Sequence, residues 1–170
     1  MSVSTADLWK AILTAWEASS LPATFKALWS TSYSTEFFTL HDEEALEGQP
    51  WPYCVLDEFA PTLVSRMSGD QGDIVTKREI RDVRIRFNIW ARDIDGDSRT
   101  SKEIAAYLAE EVMKVFGGHP ATAPTGTVTL THGKHLITQH IMDFGIKAGD
   151  QEHQWIVDYN FRLDVPVAIA

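Results

Sequence analysis

Gln154-Trp155-Ile156-Val157-Asp158-Tyr159-Asn160-Phe161-Arg162-Leu163-Asp164-Val165-Pro166-Val167 is the stretch that decides the fold. Its odd positions are all apolar, and its even positions are polar except Ile156 and Pro166. A period of two held over this length predicts one long β-strand. One face should be packed, and the other wet or turned to a partner. At ~3.3 Å per residue the strand would span roughly 43 Å, well beyond a typical strand of about five or six residues. A strand that long should extend past its own core, which points to a protein that contacts other copies or other proteins.

Asp82 to Trp90 repeats the pattern, with Val83, Ile85, Phe87 and Ile89 alternating with Asp82, Arg84, Arg86, Asn88 and Trp90. If the two strands are antiparallel neighbours, Arg84 and Arg86 can pair with Asp158 or Asp164, each cross-strand pair contributing roughly 0.2–1 kcal/mol. Two readings of this charged face stay open. It is either a solvated outer face with incidental ion pairs or a surface that meets a neighbouring subunit.

The chain has 170 residues, 44% hydrophobic, with six Trp and eight Phe. That suits one domain with a substantial core. No apolar run approaches the roughly eighteen residues that span a bilayer, so no membrane association is expected. Met1 to Lys10 lacks a basic segment followed by an apolar one, which predicts no secretory leader and a cytosol-like compartment. The lone Cys54, inside Tyr53-Cys54-Val55-Leu56, leaves no intramolecular disulfide and no cysteine-rich zinc site. It reads as a small buried hydrophobe. A formal charge of −9 opposes affinity for a phosphate backbone, so a DNA-binding module is not expected.

Ser4-Thr5-Ala6-Asp7 reads as a helix start, with Ser4 as N-cap and Asp7 near the positive end of the dipole. The helix runs to about Glu17 with Leu8, Ile12 and Trp16 on one stripe. Pro22 opens a short second helix carrying Phe25, Leu28 and Trp29. Strands are expected at 35–40, Tyr53–Phe59 and Thr62–Met67, with an acidic loop from His41 to Pro50. Turn chemistry at 68–73 folds the chain back into a strand over 79–91. Ile104, Leu108, Val112 and Phe116 recur every four residues in a helix from about Arg99, stopped by Gly117-Gly118. Further strands are expected around Val128–Leu130 and over Leu136–Phe144. The fold class is α+β: a single domain, residues 1–170, with a mostly antiparallel sheet of long strands and helices on one face.

Known chemical motifs are largely missing. Gly133-Lys134 lacks the earlier glycine of a phosphate loop, and no Gly-x-Ser-x-Gly or His-Glu-x-x-His occurs. Asp93, Asp95 and Asp97 alternate like a calcium loop, but Ser98 and Ile104 stand where that loop needs Gly and Glu. They read as a turn that caps the following helix. His132, His135 and His140 lack helical spacing and cysteine partners for zinc. Alternation places His140 on one face with Met142 and Phe144, and His41 reads as loop solvation. The expectation is no catalytic residue, no metal and no cofactor.

One resemblance gathers these elements. An N-terminal helix, then Pro52-Tyr53-Cys54-Val55-Leu56, then a charged hairpin ending Val83 to Ala91, then the Ser101–Phe116 helix and a closing strand from Trp155 to Val167, resembles the tail terminators of tailed bacteriophages. These are also called tail-completion or minor tail proteins, and the resemblance covers roughly residues 5 to 167. It implies a structural virion protein of the tail and neck, assembled in the host cytoplasm. Such proteins form homo-oligomeric rings, typically hexamers, that sit on the last ring of the tail tube protein. They stop tube growth and join the tail to a head–tail connector or head-closure protein. DNA passes through the lumen without specific binding, and no catalytic residue is implied. On that reading, Asp70, Gln71 and Asp73 in the 66–78 tip and Glu43 and Glu44 in the acidic loop are candidates for ring-to-ring contact. Arg84, Arg86, Asp158 and Arg162, with Trp90 on the same face, are candidates for subunit contact. A head-closure or connector-adaptor protein is the near alternative, and a metal-dependent small-ligand enzyme the distant one.

Overall fold

The computed structural model describes residues 3–28, 38–42, 48–58, 61–67 and 76–168. Helices α1 (Val3–Glu17) and α2 (Leu21–Ala27) are followed by strands β1 (Leu40–Asp42), β2 (Tyr53–Glu58), β3 (Thr62–Met67) and β4 (Thr76–Arg92). Helix α3 (Ser101–Phe116) and strands β5 (Lys134–Lys147) and β6 (Glu152–Ala168) complete the order. The described strands form one sheet in the order β1-β2-β4-β6-β5, with β3 also on β4. All pairings are antiparallel except that of β1 with β2. The α+β expectation holds, with the helices on one side of the sheet.

β4 and β6 are the backbone of the sheet. They pair without interruption from Thr76↔Ala168 to Arg92↔Glu152. Both exceed the predicted strands by a few residues, because each supplies the other's ladder partners to the end. β6 occupies one edge of β4 throughout, so β2 and β3 share the other: β2 pairs with Ile85–Trp90 and β3 with Arg78–Asp82.

The inward register of β4 (Val83, Ile85, Phe87, Ile89, Ala91) and of β6 (Val157, Tyr159, Phe161, Leu163, Val165) is buried. α3 covers it with Ile104, Leu108, Val112 and Phe116, the predicted four-residue stripe. Thr100 caps this helix: its hydroxyl accepts the Glu103 N–H, and the Glu103 carboxylate accepts the Thr100 N–H at 2.8 Å. That reciprocal box fixes the start two residues later than expected. Leu8, Ile12, Trp16 and Phe25 close the core from α1 and α2, with the Trp16 indole N–H donating to the Phe38 carbonyl at 3.0 Å.

Several expectations shift. α1 already includes Val3 and Ser4, so Ser4 is not its cap. His41 sits buried in β1 and not in a solvated loop. Trp29, residues 35–37 of the expected 35–40 strand and the 68–75 tip lie outside the described residues; of 38–40, only Leu40 belongs to a strand.

The strand expected around Val128–Leu130 is absent, and 119–133 has no regular structure. Its backbone donors go elsewhere: Thr125 and Gly126 donate to the Lys114 and Val115 carbonyls at the end of α3. Thr131 and His132 donate to the Asp7 carboxylate at 3.0 and 2.7 Å. Gly126 permits this approach, since a Cβ there would lie 2.7 Å from Val115 Cγ1 and 2.9 Å from its carbonyl oxygen. Val128 and Leu130 still bury their side chains, which is the alternation seen in the sequence.

Candidate functional site

The face of the sheet away from the helices carries the residues singled out from sequence. Reading across it, Asp57, Arg86, Asp158 and Met142 form one transverse row, and Val55, Asn88, Ile156 and Phe144 the next. Period two on β4 and β6 places Arg84, Arg86, Asp158 and Arg162 together, as the alternation predicts.

Their charges are matched within the chain. Arg86 donates from Nε to Asp158 Oδ1 at 2.8 Å and from Nη2 to Oδ2 at 3.0 Å, while Arg84 Nη2 reaches Oδ2 at 2.5 Å. The Asp158 side chain is fully excluded from solvent, whereas Arg84 and Arg86 are 42% and 28% exposed. Burial alone would push the Asp158 carboxyl up; the hydrogen bonds from Arg86 and Arg84 outweigh it and hold it below the usual carboxylate range.

Arg162 grips Asp82 through two bonds of 2.8 and 2.9 Å, and Arg78 grips Asp164 through two of 2.9 and 2.8 Å. The guanidinium of Arg162 lowers the Asp82 carboxyl. Farther along, Asn88 donates to Asp57 at 2.8 Å and accepts from Gln154 at 2.9 Å. The face is thus a ladder of satisfied pairs at its centre. It ends in an aromatic corner where Trp90 stacks on Tyr53 at 6.4 Å and Trp51 meets Tyr53 edge-on at 5.0 Å.

Of the other predicted interface residues, Glu43, Glu44, Asp70, Gln71 and Asp73 lie outside the described residues. The aspartates that mimic a calcium loop are engaged by the helix start. Asp93 accepts the Ser101 N–H at 2.7 Å, and Asp97 accepts the Arg99 N–H and guanidinium at 2.9, 3.0 and 2.7 Å. The Arg99 side chain lowers the Asp97 carboxyl to about 2. Among the described residues, no group of three or more His, Cys, Asp or Glu is placed to hold a metal ion.

Two clefts, of about 340 and 350 Å³, lie beside α2 and between the end of α1 and Val115, Thr125, Gly126 and Thr127, respectively. They are lined by small and hydroxyl side chains with Arg99 and Tyr107, and neither lining includes a carboxylate or a histidine. Burial raises the Cys54 thiol well above its usual value, so it is a packed hydrophobe and not a nucleophile.

Sequence reasoning missed the surface of β5. A bulge between His140 and Met142 puts His140 opposite Tyr159 on the helix side and Met142 opposite Asp158 on the outer side. His140 therefore does not share a face with Met142 and Phe144. It lies 3.2 Å from Asp143, which also accepts the Trp155 indole N–H at 3.2 Å. A second bulge falls between His135 and Ile137. Together they leave Leu136, Ile137, Ile141, Met142, Phe144 and Ile146 exposed along the sheet margin. The trace in the sequence is a pair of apolar doublets, Leu136-Ile137 and Ile141-Met142, interrupting an alternating strand.

Compared with protein-family models and with curated proteins, the chain matches none. Among the described residues, no helix is long and apolar enough to cross a membrane.

Proposed function

We propose that this chain is a structural ring protein of a tailed-phage virion that caps the tail tube, ends its polymerisation and joins it to the neck. The observation that carries the reading is the β4–β6 ribbon. Its seventeen-residue strands span roughly 53 Å at ~3.3 Å per residue, while the sixteen-residue α3 that covers it spans about 24 Å. On the inward side of β4 the apolar register ends at Val83, and the strand continues through Arg81 and Glu79, which pair with each other at 2.6 Å. The sequence 68–75 between β3 and β4 is polar apart from Ile74 and Val75. A long ribbon leading into a polar connection suits contact with another ring.

The mechanism on this reading is interfacial. One ring face matches tube subunits, the other does not, and growth stops. The acidic chain does not retain the DNA that passes through the lumen. The intramolecular ion ladder matches the charges of the sheet face within each copy.

Native mass measurement of the purified protein, alone and with its tube protein, tests the reading. The expected result is a closed oligomer, hexameric by the family resemblance, that caps tubes and limits their length. A strict monomer that neither binds nor shortens tubes would refute it. An amber mutant that yields overlong tails supports the terminator role, whereas leaking heads beside normal tails would instead indicate a head-closure or adaptor protein.

A further inference from the structure

β5 forms the margin of the sheet and, among the described residues, pairs only with β6. The exposed stripe on it, between 37% and 56% open for each of six large apolar side chains, adds up to on the order of 500 Å² of apolar surface. A standard interface buries ~800 Å² per partner; this stripe reaches more than half of that only with its outer-face members Ile137, Met142, Phe144 and Ile146 covered as well as the bulge residues Leu136 and Ile141.

Open edges are normally guarded by Lys, charged or Pro residues. From Leu136 to Met142 there is no Lys, Arg, Asp, Glu or Pro. Both bulges contribute an apolar side chain, Leu136 or Ile141, where a charge would block pairing.

The opposite margin carries a matching feature. β3 pairs only with β4 among the described residues, and it exposes Leu63 at 45% and Val64 at 46%. Thr62 to Ser65 contains no charge either. The registers place the two edges at one height. Leu63, Arg81, Leu163 and His135 form a single transverse row, and Thr62, Asp82, Arg162 and Ile137 the next. Leu63 and Ile137 thus end neighbouring rows, with the bulge residues Val64 and Leu136 beside them.

We propose that the β5 edge of one copy docks against the β3 edge of the next, with Leu136 and Ile137 meeting Leu63 and Val64. Two different edges on one chain define a head-to-tail contact, which generates a ring when its rotation closes and an open filament when it does not. A β5-to-β5 dimer would leave the β3 edge open. This inference rests on the ring reading and specifies how its subunits join.

Paired cysteines test it, since the native Cys54 is buried and silent. Leu63→Cys and Val64→Cys are each combined with Leu136→Cys and Ile137→Cys, oxidised, and separated under non-reducing conditions. The expected result is a ladder of covalent oligomers ending at the native ring mass, seen only in double variants. Dimers from Leu136→Cys or Ile137→Cys alone would overturn the head-to-tail contact in favour of a symmetric pair. An intact ring without any cross-link would overturn the inference and leave the ring reading standing; a wild-type monomer removes both. In parallel, Ile137→Glu should weaken assembly at least ~10-fold while the far-ultraviolet circular dichroism stays native. Should that variant still form rings yet fail to cap tubes, the stripe serves the tube protein and the proposal is wrong.

Discussion

Removing Arg84 and Arg86 singly and then together asks whether Asp158 is held as one buried carboxylate shared by two cations. Asp158 has no solvent exposure of its side chain, so its charge is stabilised by the two guanidiniums and not by water. An exposed pair contributes ~0–1 kcal/mol, whereas leaving a buried charge uncompensated costs roughly 3–5 kcal/mol. Both arginines are partly solvated, which puts each single loss near the lower limit. Arg84→Ala removes one bond and should cost about 1 kcal/mol; Arg86→Ala removes the two-bond partner and should cost about 1.5 kcal/mol.

In either single variant the remaining guanidinium still supplies a counter-charge. The double variant strands the carboxylate and should cost about 4 kcal/mol, so the two losses couple by ~1.5 kcal/mol. For a chain of this size that corresponds to a melting temperature roughly 8–16 °C lower. Adding Asp158→Asn to the double variant should restore part of the stability, because a neutral amide is cheaper to bury than a lone carboxylate. Urea unfolding of the wild type and the four variants, with slopes compared to confirm two-state behaviour, gives these values. Additive losses, or a double variant costing less than ~2 kcal/mol, would show that water reaches Asp158 and that the shared-carboxylate argument is wrong.

Acid should destabilise the protein in two stages. His135 is lowered by burial, which outweighs a hydrogen bond at Ile137, and His153 by burial and the Lys102 and Lys147 charges. The unfolded chain then binds more protons, so this contribution is complete above pH 6.5 and is lost as pH falls below it. Asp82 and Asp158 have lowered carboxyls, and their contribution holds above the usual value of 3.8 and disappears as pH drops through the folded values. Unfolding midpoints measured from pH 8 to pH 2 should show both declines, and a profile flat to pH 4 would contradict the histidine stage. Separately, Asp7→Ala should cost roughly 1–2 kcal/mol, since it removes the acceptor for the Thr131 and His132 amides while those exposed residues regain water. Amide exchange should speed up at residues 131 and 132 before any change in β4 or β6; unchanged exchange there would mean that the clamp is not what holds the segment.

Much of the central sheet is legible in the sequence, because β4 and β6 obey a strict period of two and each fills the same core. That period puts Arg84 and Arg86 on one face with the acidic residues of β6; Asp158, opposite Arg86, receives both, while Arg84 itself stands opposite Asn160. The helix over Ser101–Phe116 is legible for a similar reason, its four-residue stripe and its Thr100–Glu103 box agreeing. Residues 127–131 show where the method fails. Val128 and Leu130 alternate because both are buried, but burial does not require a strand. Hydrogen bonds from Thr125 and Gly126 to Lys114 and Val115, and from Thr131 and His132 to Asp7, hold the segment at its two ends across sequence separations of 11 to 125, which no local pattern encodes.

β5 fails for a different reason, and its failure bears on function. Alternation assumes one residue per ladder position, and each bulge inserts a residue that inverts the assignment beyond it. Two inversions within fourteen residues bring His140 under the sheet and turn Met142 outward. They also convert what reads as a half-buried strand into an edge with consecutive apolar side chains at two points. A stable monomer has every reason to place a lysine at such points. Their apolar character is what the edge-docking proposal accounts for, since it covers β5 with a neighbouring copy. The charged face, open at first between a solvated surface and a subunit contact, is matched within one chain. On the ring proposal, the ladder stiffens each copy and the margins carry the contact between copies.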